Sequence, residues 1–430
     1  MTTPYDETAL DDYIGALLDQ ALALKASDIH IEPVGAAEYR IRLRVDGLLR
    51  ESAHCAPLLA ARLLVCLKMR ARLDIAERRR PQDGQFAFGP PDRRCSCRLS
   101  TLPTLRGEKL VLRLLRGTPE NLTLERLGMP TAMRRRFLRI LHRPQGLILL
   151  TGPTGSGKTM TLYSALNALA GDRLNICSVE DPVEIPLPGM TQCQVNVKAQ
   201  LDFPVLLRAL LRQDPDVIMV GEIRDRETAA MAVNSAQTGH LVLATLHALS
   251  AGDAARRLTQ FGPRAGQVHS ALLLVMAQRL VRLLCPRCRR EVRTHDEPVV
   301  RLPPGWVPQR VWQAAGCEHC HQGYAGRRGI FHLLPSQPFA RDKTYPGEGI
   351  ADGTGQVADS AIGEAASIGA APVSSGYLTA GGGRSVKNPG EISNGQRRRG
   401  PSGLWRAGLI LAARGVTSLD ELARVLGEPV

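Results

Sequence analysis

The chain has 430 residues, a formal net charge of +14, 44% hydrophobic residues and 4% aromatic residues. This length predicts two or three domains whose cores are built mainly from aliphatic side chains. No apolar run reaches the roughly 18 residues that a membrane-spanning helix needs, and the acidic N-terminal stretch is not typical of a signal peptide. We therefore expect a cytoplasmic protein, whose basic charge suits a nucleic acid, an anionic membrane face or an ordinary solvated surface.

The first 117 residues predict a small α+β module. An amphipathic helix over residues 6–24 is followed by "SDIHIEP" and "EYRIRLRVDGLLR", in which polar and apolar residues alternate as in half-buried strands. A second helical stretch over residues 58–73 precedes more strand and turn sequence. Residues 118–128 predict a linker to the next domain.

Residues 129–284 have a different pattern, in which short apolar runs alternate with helical segments. Near-continuous apolar strands of this kind predict an α/β fold with a parallel sheet covered on both faces. The run "GLILL" precedes "GPTGSGKT", which fits the phosphate-loop pattern G-x-x-x-x-G-K-[ST], and a helical pattern follows it. The nucleotide-binding residues predicted from this loop are Gly152, Pro153, Thr154, Gly155, Ser156, Gly157, Lys158 and Thr159.

The residue types of this loop suit the phosphates of a nucleotide for physical reasons. Backbone N–H groups at the start of a helix converge on phosphate oxygens, and Lys158 adds a positive charge. The hydroxyl group of Thr159 is suited to Mg²⁺. We therefore expect a nucleotide and Mg²⁺ at this loop.

Acidic and histidine residues follow or flank other predicted strands of this sheet. Glu222 follows the apolar run of "DVIMVGE", and Glu180 follows that of "NICSVED". Because ligands bind at the carboxyl ends of strands in open α/β sheets, both are predicted catalytic residues, with Glu222 polarising the attacking water. His240 and His247 flank "LVLATL" and are predicted to sense the nucleotide. For each acid, a helix cap or a solvated turn is the alternative.

Four of the ten cysteines are paired in sequence. Cys285 and Cys288 form one C-x₂-C pair, and Cys317 and Cys320 form another after 28 intervening residues. Two such pairs can close a tetrahedral site, so residues 285–334 predict a tetracysteine zinc element, with redox chemistry as the alternative. The other six cysteines are expected to be free thiols, because a cytoplasmic chain does not keep a disulfide framework.

The C-terminal part of the chain changes composition twice. Residues 335–402 are rich in Gly, Ala and Ser and have little apolar periodicity, which predicts a disordered insertion. Residues 403–430 predict two helices separated at Gly415, with Thr417 or Ser418 as the N-cap of the second.

Several stretches of the chain resemble one protein family. "LRQDPDVIMVGEIRD" is similar to the signature of the secretion ATPases that drive type II secretion and type IV pilus assembly. "GPTGSGKT" resembles the family's Walker A motif, "VEDPVE" its Asp box and "TGHLVLATLH" its His box. "SDIHIEP", "RPQDGQ" and "RGEKLVLRLL" resemble its N-terminal module, and the similarity covers residues 10–335 and 403–430.

This resemblance implies a RecA-like P-loop domain, preceded by the smaller α+β module and followed by a Cys₄ zinc element and helices. It implies a homohexameric ATPase that takes ATP, Mg²⁺ and Zn²⁺ and works at the inner membrane with a polytopic platform protein. Hydrolysis would drive the assembly of a fibre of pilin-like subunits, with no nucleic acid as a partner. The family's assembly ATPases carry a tetracysteine element that its retraction ATPases lack, which favours assembly.

The resemblance also implies that arginines of the N-terminal module reach the phosphates and neutralise transition-state charge. Arg42, Arg44 and Arg98 are the candidates, and an ordinary exposed strand arginine is the alternative for each. Other functions stay open: a pilus retraction ATPase, a basic RecA-like nucleic-acid translocase, and a scaffold that does not hydrolyse nucleotide.

Overall fold

The structure is a computed structural model that describes residues 7–35, 38–89, 95–115, 122–171, 173–248, 250–293, 310–336 and 403–427. Nearly all of the predicted insertion 335–402 and the first part of the predicted linker 118–128 lie outside these residues. Among the described helices, none has both the length and the apolar composition needed to cross a bilayer.

The N-terminal module is an antiparallel sheet covered on one face by two helices. Its elements are α1 (Glu7–Ala23), β1 (Asp28–Val34), β2 (Glu38–Val45), β3 (Leu48–Cys55), α2 (Pro57–Arg70), β4 (Gln82–Phe88), β5 (Cys95–Thr104) and β6 (Gly107–Leu115). The six strands lie in the order β3-β2-β1-β6-β5-β4. The α+β prediction for this part of the chain therefore agrees with its elements.

Alternation along the strands decides which side chains of the N-terminal module are buried. Ile29 and Ile31 of β1 are fully buried, and they pack in one apolar cluster with α1 and α2. Asp28 and Glu32 lie on the other face of the same strand, where they pair across the sheet with arginines. A period of two thus separates an apolar face from a charged face.

The large domain is built on a second sheet. Its elements are α3 (Thr131–Leu141), β7 (Gly146–Thr151), α4 (Lys158–Leu169), β8 (Ile176–Glu180), β9 (Thr191–Gln194), α5 (Phe203–Leu210), β10 (Val217–Val220), α6 (Arg226–Gln237), β11 (Leu241–Leu246), α7 (Ala251–Gln260), α8 (Ala265–Ala271), β12 (Leu272–Leu284), β13 (Arg290–Arg293), β14 (Arg310–Gln313), β15 (Tyr324–Pro335), α9 (Gly403–Ala413) and α10 (Leu419–Leu426).

The sheet of the large domain has seven strands in the order β15-β12-β7-β11-β10-β8-β9, and the pairs from β12 to β9 are parallel. Strands β7, β8, β10 and β11 are buried along their whole length. Separate apolar clusters cover the two faces of the sheet. The predicted α/β fold with a parallel sheet is confirmed.

All but the last residue of strand β15 lies inside the range predicted as a tetracysteine element, residues 285–334. It is nevertheless the neighbour of β12 in the large sheet. The cysteine pairs therefore lie in the long connection between two adjacent strands, residues 285–323, which we call the excursion. Strands β13 and β14 form a small antiparallel sheet within it.

The two C-terminal helices pack on the large domain. Trp405 of α9 and Leu422 of α10 lie in the same apolar cluster as the core of the large sheet. A buried ion pair fixes α10 to β12, because the Arg282 guanidinium lies 2.8 Å from a carboxylate oxygen of Glu421. Of the two predicted N-cap residues, Ser418 caps the helix, and its hydroxyl accepts a hydrogen bond from the Glu421 backbone N–H at 3.1 Å.

Candidate functional site

The predicted site residues of the large domain lie mainly along one edge of its sheet. Because β7, β8, β10 and β11 are parallel, they end on the same side. Gly152, Glu180, Glu222 and His247 lie at or directly after those ends. We call this side the carboxyl edge, and it is where a ligand meets an open parallel sheet.

The phosphate loop turns tightly from β7 into α4. Gly152 has φ +153 and Gly157 has φ +86, in the region that favours glycine. A Cβ atom on Gly152 would lie 2.6 Å from the carbonyl oxygen of Gln278, and one on Gly157 would lie 2.9 Å from the Gln278 Nε2. The N-cap Gly157 has no side chain to cap α4. The first N–H groups of that helix are therefore suited to an anion.

The Lys158 side chain folds back over the phosphate loop. Its Nζ donates hydrogen bonds to the carbonyl oxygens of Gly152 at 2.7 Å and Pro153 at 3.0 Å. Burial lowers the pKa of the Lys158 ammonium, the charge of Glu222 opposes this, and the charge of Arg279 adds to it. Thr159 follows in the first turn of α4, while Pro153, Thr154 and Gly155 form the exposed part of the loop.

Glu222 lies between two partners at the carboxyl edge. His247 Nε2 lies 2.8 Å from Glu222 Oε1, and Arg224 Nε donates to Glu222 Oε2 at 2.8 Å. Arg224 also reaches Asp181 at 3.3 Å. The Glu222 side chain keeps 17% of its surface exposed, so its carboxylate is oriented by the protein and still open to water.

Glu180 is more enclosed than Glu222. It is 2% exposed, and its Oε1 accepts hydrogen bonds from Ser178 Oγ at 2.6 Å and Gln192 Nε2 at 3.1 Å. The Tyr163 hydroxyl of α4 donates to the other oxygen. Burial raises the pKa of the Tyr163 phenol, and its bond to Glu180 raises it further. Sequence reasoning missed Tyr163, although a buried tyrosine one turn after Lys158 needs a polar partner.

His240, the other histidine predicted to sense the nucleotide, lies at the opposite edge of the sheet from the phosphate loop. His240 precedes β11, and its carbonyl oxygen accepts from Gly146 N, at the first residue of β7. Its Nδ1 lies 3.1 Å from the Ser235 carbonyl oxygen. Residues that precede and follow one strand lie at opposite edges of the sheet. Of the two histidines, only His247 therefore lies at the carboxyl edge.

The candidate arginines share the charged face of the N-terminal module. Arg42 Nε donates to Glu32 at 2.8 Å, and Arg44 Nε lies 3.5 Å from Asp28. Arg98 pairs across the sheet with Arg113, and its side chain has no hydrogen bond or ion pair with any described residue. The described contacts do not join any of the three to the phosphate loop.

The four predicted metal-ligating cysteines lie together. The distance between Sγ atoms is 3.9 Å for Cys285 and Cys317, 3.7 Å for Cys288 and Cys320, and 3.6 Å for Cys317 and Cys320. A tetrahedral zinc site with Zn–S bonds of about 2.3 Å places its sulfurs about 3.8 Å apart. Disulfides need about 2.05 Å. The cluster therefore has the geometry of a Zn(Cys)₄ site, and its cysteines are not joined in disulfides.

Comparison with known proteins gives one consistent result. The family model described as "Type II/IV secretion system protein" matches residues 4–376. The chain is 45% identical over 414 residues to the protein transport protein HofB homolog of Escherichia coli, with 96% of this chain and 80% of that protein covered.

Relatives named for secretion and for pili are similarly close. Type II secretion system protein E of Klebsiella pneumoniae is 46% identical over 346 residues, which are 80% of this chain and 69% of that protein. The type IV pilus assembly ATPase PilB of Pseudomonas aeruginosa is 38% identical over 427 residues, which are 98% of this chain and 68% of that protein.

A solved structure shares the fold. The pilus retraction motor PilT with bound ADP superimposes with a TM-score of 0.52 at 28% identity, over 75% of this chain and 82% of that chain.

Proposed function

Because the chain belongs to the type II/IV secretion system protein family, we propose that it is an ATPase motor that drives the assembly of a pilin-like fibre at the inner membrane. The observation that carries this proposal is the carboxyl edge, where Lys158 of the phosphate loop follows β7 and the partly exposed Glu222 follows β10, two parallel strands separated by β11 alone. ATP hydrolysis needs both a phosphate cradle and a carboxylate that can orient water, and this edge offers both.

The residues of the large domain have separate tasks in hydrolysis. The loop N–H groups and Lys158 hold the phosphates, and Glu222 accepts a hydrogen bond from the attacking water and orients it. His247 and Arg224 fix the direction of the Glu222 carboxylate. Mg²⁺, held at Thr159, would neutralise charge on the phosphates.

The N-terminal module supplies the remaining cation in this proposal. In a homohexamer, the charged face of the module would approach a phosphate loop, and one of Arg42, Arg44 and Arg98 would reach the transferred phosphate. Arg42 and Arg44 already face carboxylates within 3.5 Å. Arg98 has no such partner among the described residues, which supports it as the arginine that acts in trans.

Fibre assembly is favoured over retraction by the cysteine cluster. The tetracysteine element is typical of assembly ATPases, and Cys285, Cys288, Cys317 and Cys320 would hold one structural Zn²⁺. Cys285 lies seven positions after Gln278, which in a strand is a distance of about 23 Å from the carboxyl edge. This zinc would therefore stabilise the fold at a distance from hydrolysis.

A platform protein of the inner membrane is the proposed docking partner. The +14 net charge of the chain would add attraction to anionic lipid, but that attraction is screened over about 8 Å at physiological ionic strength. We therefore place the protein in the cytoplasm, held at the inner membrane mainly by that partner, and we propose no nucleic acid partner.

Phosphate release by the purified full chain tests this function. We expect slow ATP hydrolysis that needs Mg²⁺ and does not respond to single-stranded DNA, because an aromatic content of 4% gives the chain few rings on which bases could stack. Hydrolysis that needs DNA and falls steeply with salt would favour a translocase instead. A strain that lacks the chain and keeps full fibre length would exclude assembly.

A further inference from the structure

Strand β12 is mostly apolar and buried, but it carries three polar residues, Gln278, Arg279 and Arg282. Gln278 is 1% exposed and Arg279 is 8% exposed, between Ala277 and Leu280. Burying a side-chain amide costs free energy unless its hydrogen bonds are made inside the protein. The contacts of Gln278 therefore indicate what this position does.

The Gln278 side chain makes both of its bonds with the phosphate loop and its helix. Its Nε2 donates to the carbonyl oxygen of Ser156 at 2.9 Å, and its Oε1 accepts from Thr161 Oγ1 at 2.8 Å. Since one partner is an acceptor and the other is a donor, only one orientation of the amide satisfies both. The pairing of Ala277 with Thr151 places Gln278 beside the start of the loop.

The bond to Ser156 also fixes the next N–H group of the loop. The C=O and N–H groups of one trans peptide point in opposite directions. With the Ser156 carbonyl held on Gln278, the Gly157 N–H points away from β12. The main-chain oxygen of Gln278 is fixed in turn, because Arg279 Nη1 donates to it at 2.9 Å.

We propose that Gln278 is a positioning residue for nucleotide binding, which holds the Ser156–Gly157 peptide with its N–H toward the phosphates. The Ser156 carbonyl, which can only accept, sets the direction of the Gln278 amide, and the Thr161 hydroxyl satisfies its oxygen. This inference rests on the proposed nucleotide site, and it concerns the di- and triphosphate of the ligand, with no part for the base.

Nucleotide binding by three variants of the full chain tests the proposal. Gln278→Leu keeps the volume and removes both bonds, Gln278→Glu replaces the donor by a carboxylate, and Thr161→Val removes only the hydroxyl. We expect the dissociation constant for ADP to rise about tenfold in both Gln278 variants and about threefold in Thr161→Val. Thr161→Val should add little to Gln278→Leu, because both act through one amide.

Two further measurements separate positioning from general stability. Inorganic pyrophosphate, used as a competitor of ADP, should lose affinity by the same factor, since it meets the same N–H group. Glu421→Gln in α10, which removes the ion pair with Arg282 of β12, is the control, and it should lower the Tm without changing ADP affinity.

ADP binding by the wild-type chain tests the proposed site by itself, and its absence would overturn both claims. If the wild type binds ADP and both Gln278 variants bind it equally well, the nucleotide site stands and the role of Gln278 is excluded. An ADP affinity that merely follows the Tm across all variants, the control included, also excludes it.

Discussion

The two sheets of this protein hold their polar residues in different places. Among the described residues, helices pack on one face of the sheet of the N-terminal module, and charged side chains project from the middle of its strands on the other face. The large sheet is covered on both faces, and its functional candidates lie at the carboxyl edge. In a strand that is buried on both faces, the ends are the favoured positions for polar side chains. Gln278 in β12 is an instructive exception, because the phosphate loop satisfies its amide.

The charges of the N-terminal module largely neutralise one another. Glu32 is 10% exposed at its side chain and is surrounded by Arg42 and Lys109, at 2.5 Å and 2.6 Å. Arg98 lies on the same face without a carboxylate among the described residues. Arginines such as Arg42 therefore stabilise the module, whereas Arg98 is available to a partner.

The largest expected effect concerns Arg98. If Arg98 acts on the phosphates of a neighbouring subunit, Arg98→Ala should lower kcat about 10³–10⁵-fold, as for arginine fingers of other NTPases. ADP binding by the isolated chain should not change. Arg106→Ala, at the exposed turn between β5 and β6, is the matched control. An Arg98→Ala hexamer with wild-type turnover would exclude Arg98 as the arginine that acts in trans.

The ion pair between β12 and α10 should have the next largest effect, on stability. Glu421 is fully buried and accepts from both Arg282 and Arg424. Glu421→Gln should lower the free energy of unfolding by about 3–5 kcal/mol, because it leaves a buried guanidinium without its counter-charge. Chemical denaturation measures this loss, and Asp420→Asn one residue away should cost far less. Equal stability of the two variants would contradict the account.

Zinc removal should affect only the excursion between β12 and β15. Elemental analysis of protein prepared without chelators should find one zinc per chain, bound by the four cysteines. Cys317→Ser should lose the metal and make the excursion sensitive to proteases, while ADP affinity stays within about twofold of wild type. Metal-free protein with four reactive thiols and an unchanged protease pattern would exclude a structural zinc site.

The smallest expected effect is that of low pH on the stability of the N-terminal module. Burial alone would raise the pKa of the Glu32 carboxyl, but hydrogen bonds from Lys109 and Arg42 outweigh it and hold the pKa below its ordinary value of 4.5. A carboxyl group with a lowered pKa stabilises the fold above its unfolded pKa, and this stabilisation is lost as the pH falls through its folded pKa.

Thermal unfolding of the wild type and of Glu32→Gln from pH 6 to pH 3 measures the contribution of the Glu32 charge to stability. Glu421 also has a lowered pKa and loses its contribution in the same direction, so the readout is the difference between the two proteins. The difference in Tm between the wild type and Glu32→Gln should become smaller as the pH falls. A constant difference across the range would show that the Glu32 charge contributes nothing.

Sequence was sufficient where the signal is local. The phosphate loop, the strand ends at Glu222 and His247, and the alternation along β1 and β2 all follow from patterns within a few residues. The pairing of β15 with β12 has no such signal, because it joins strands across the whole excursion. The contact of Thr161 with Gln278 spans 117 positions and was equally hidden. The placement of His240 also follows from the local sequence, since a residue that precedes a parallel strand lies at the opposite edge of the sheet from one that follows it.

The role of Glu222 is the central claim, and one comparison tests it directly. Phosphate release from ATP and ADP affinity are measured on the wild type, Glu222→Gln and Glu227→Gln, where Glu227 is a carboxylate of α6 that pairs with Arg208. The account predicts that Glu222→Gln loses at least about 100-fold in turnover while it still binds ADP, and that Glu227→Gln resembles the wild type. Wild-type turnover in Glu222→Gln would contradict the assignment of the carboxyl edge as the place where water is activated.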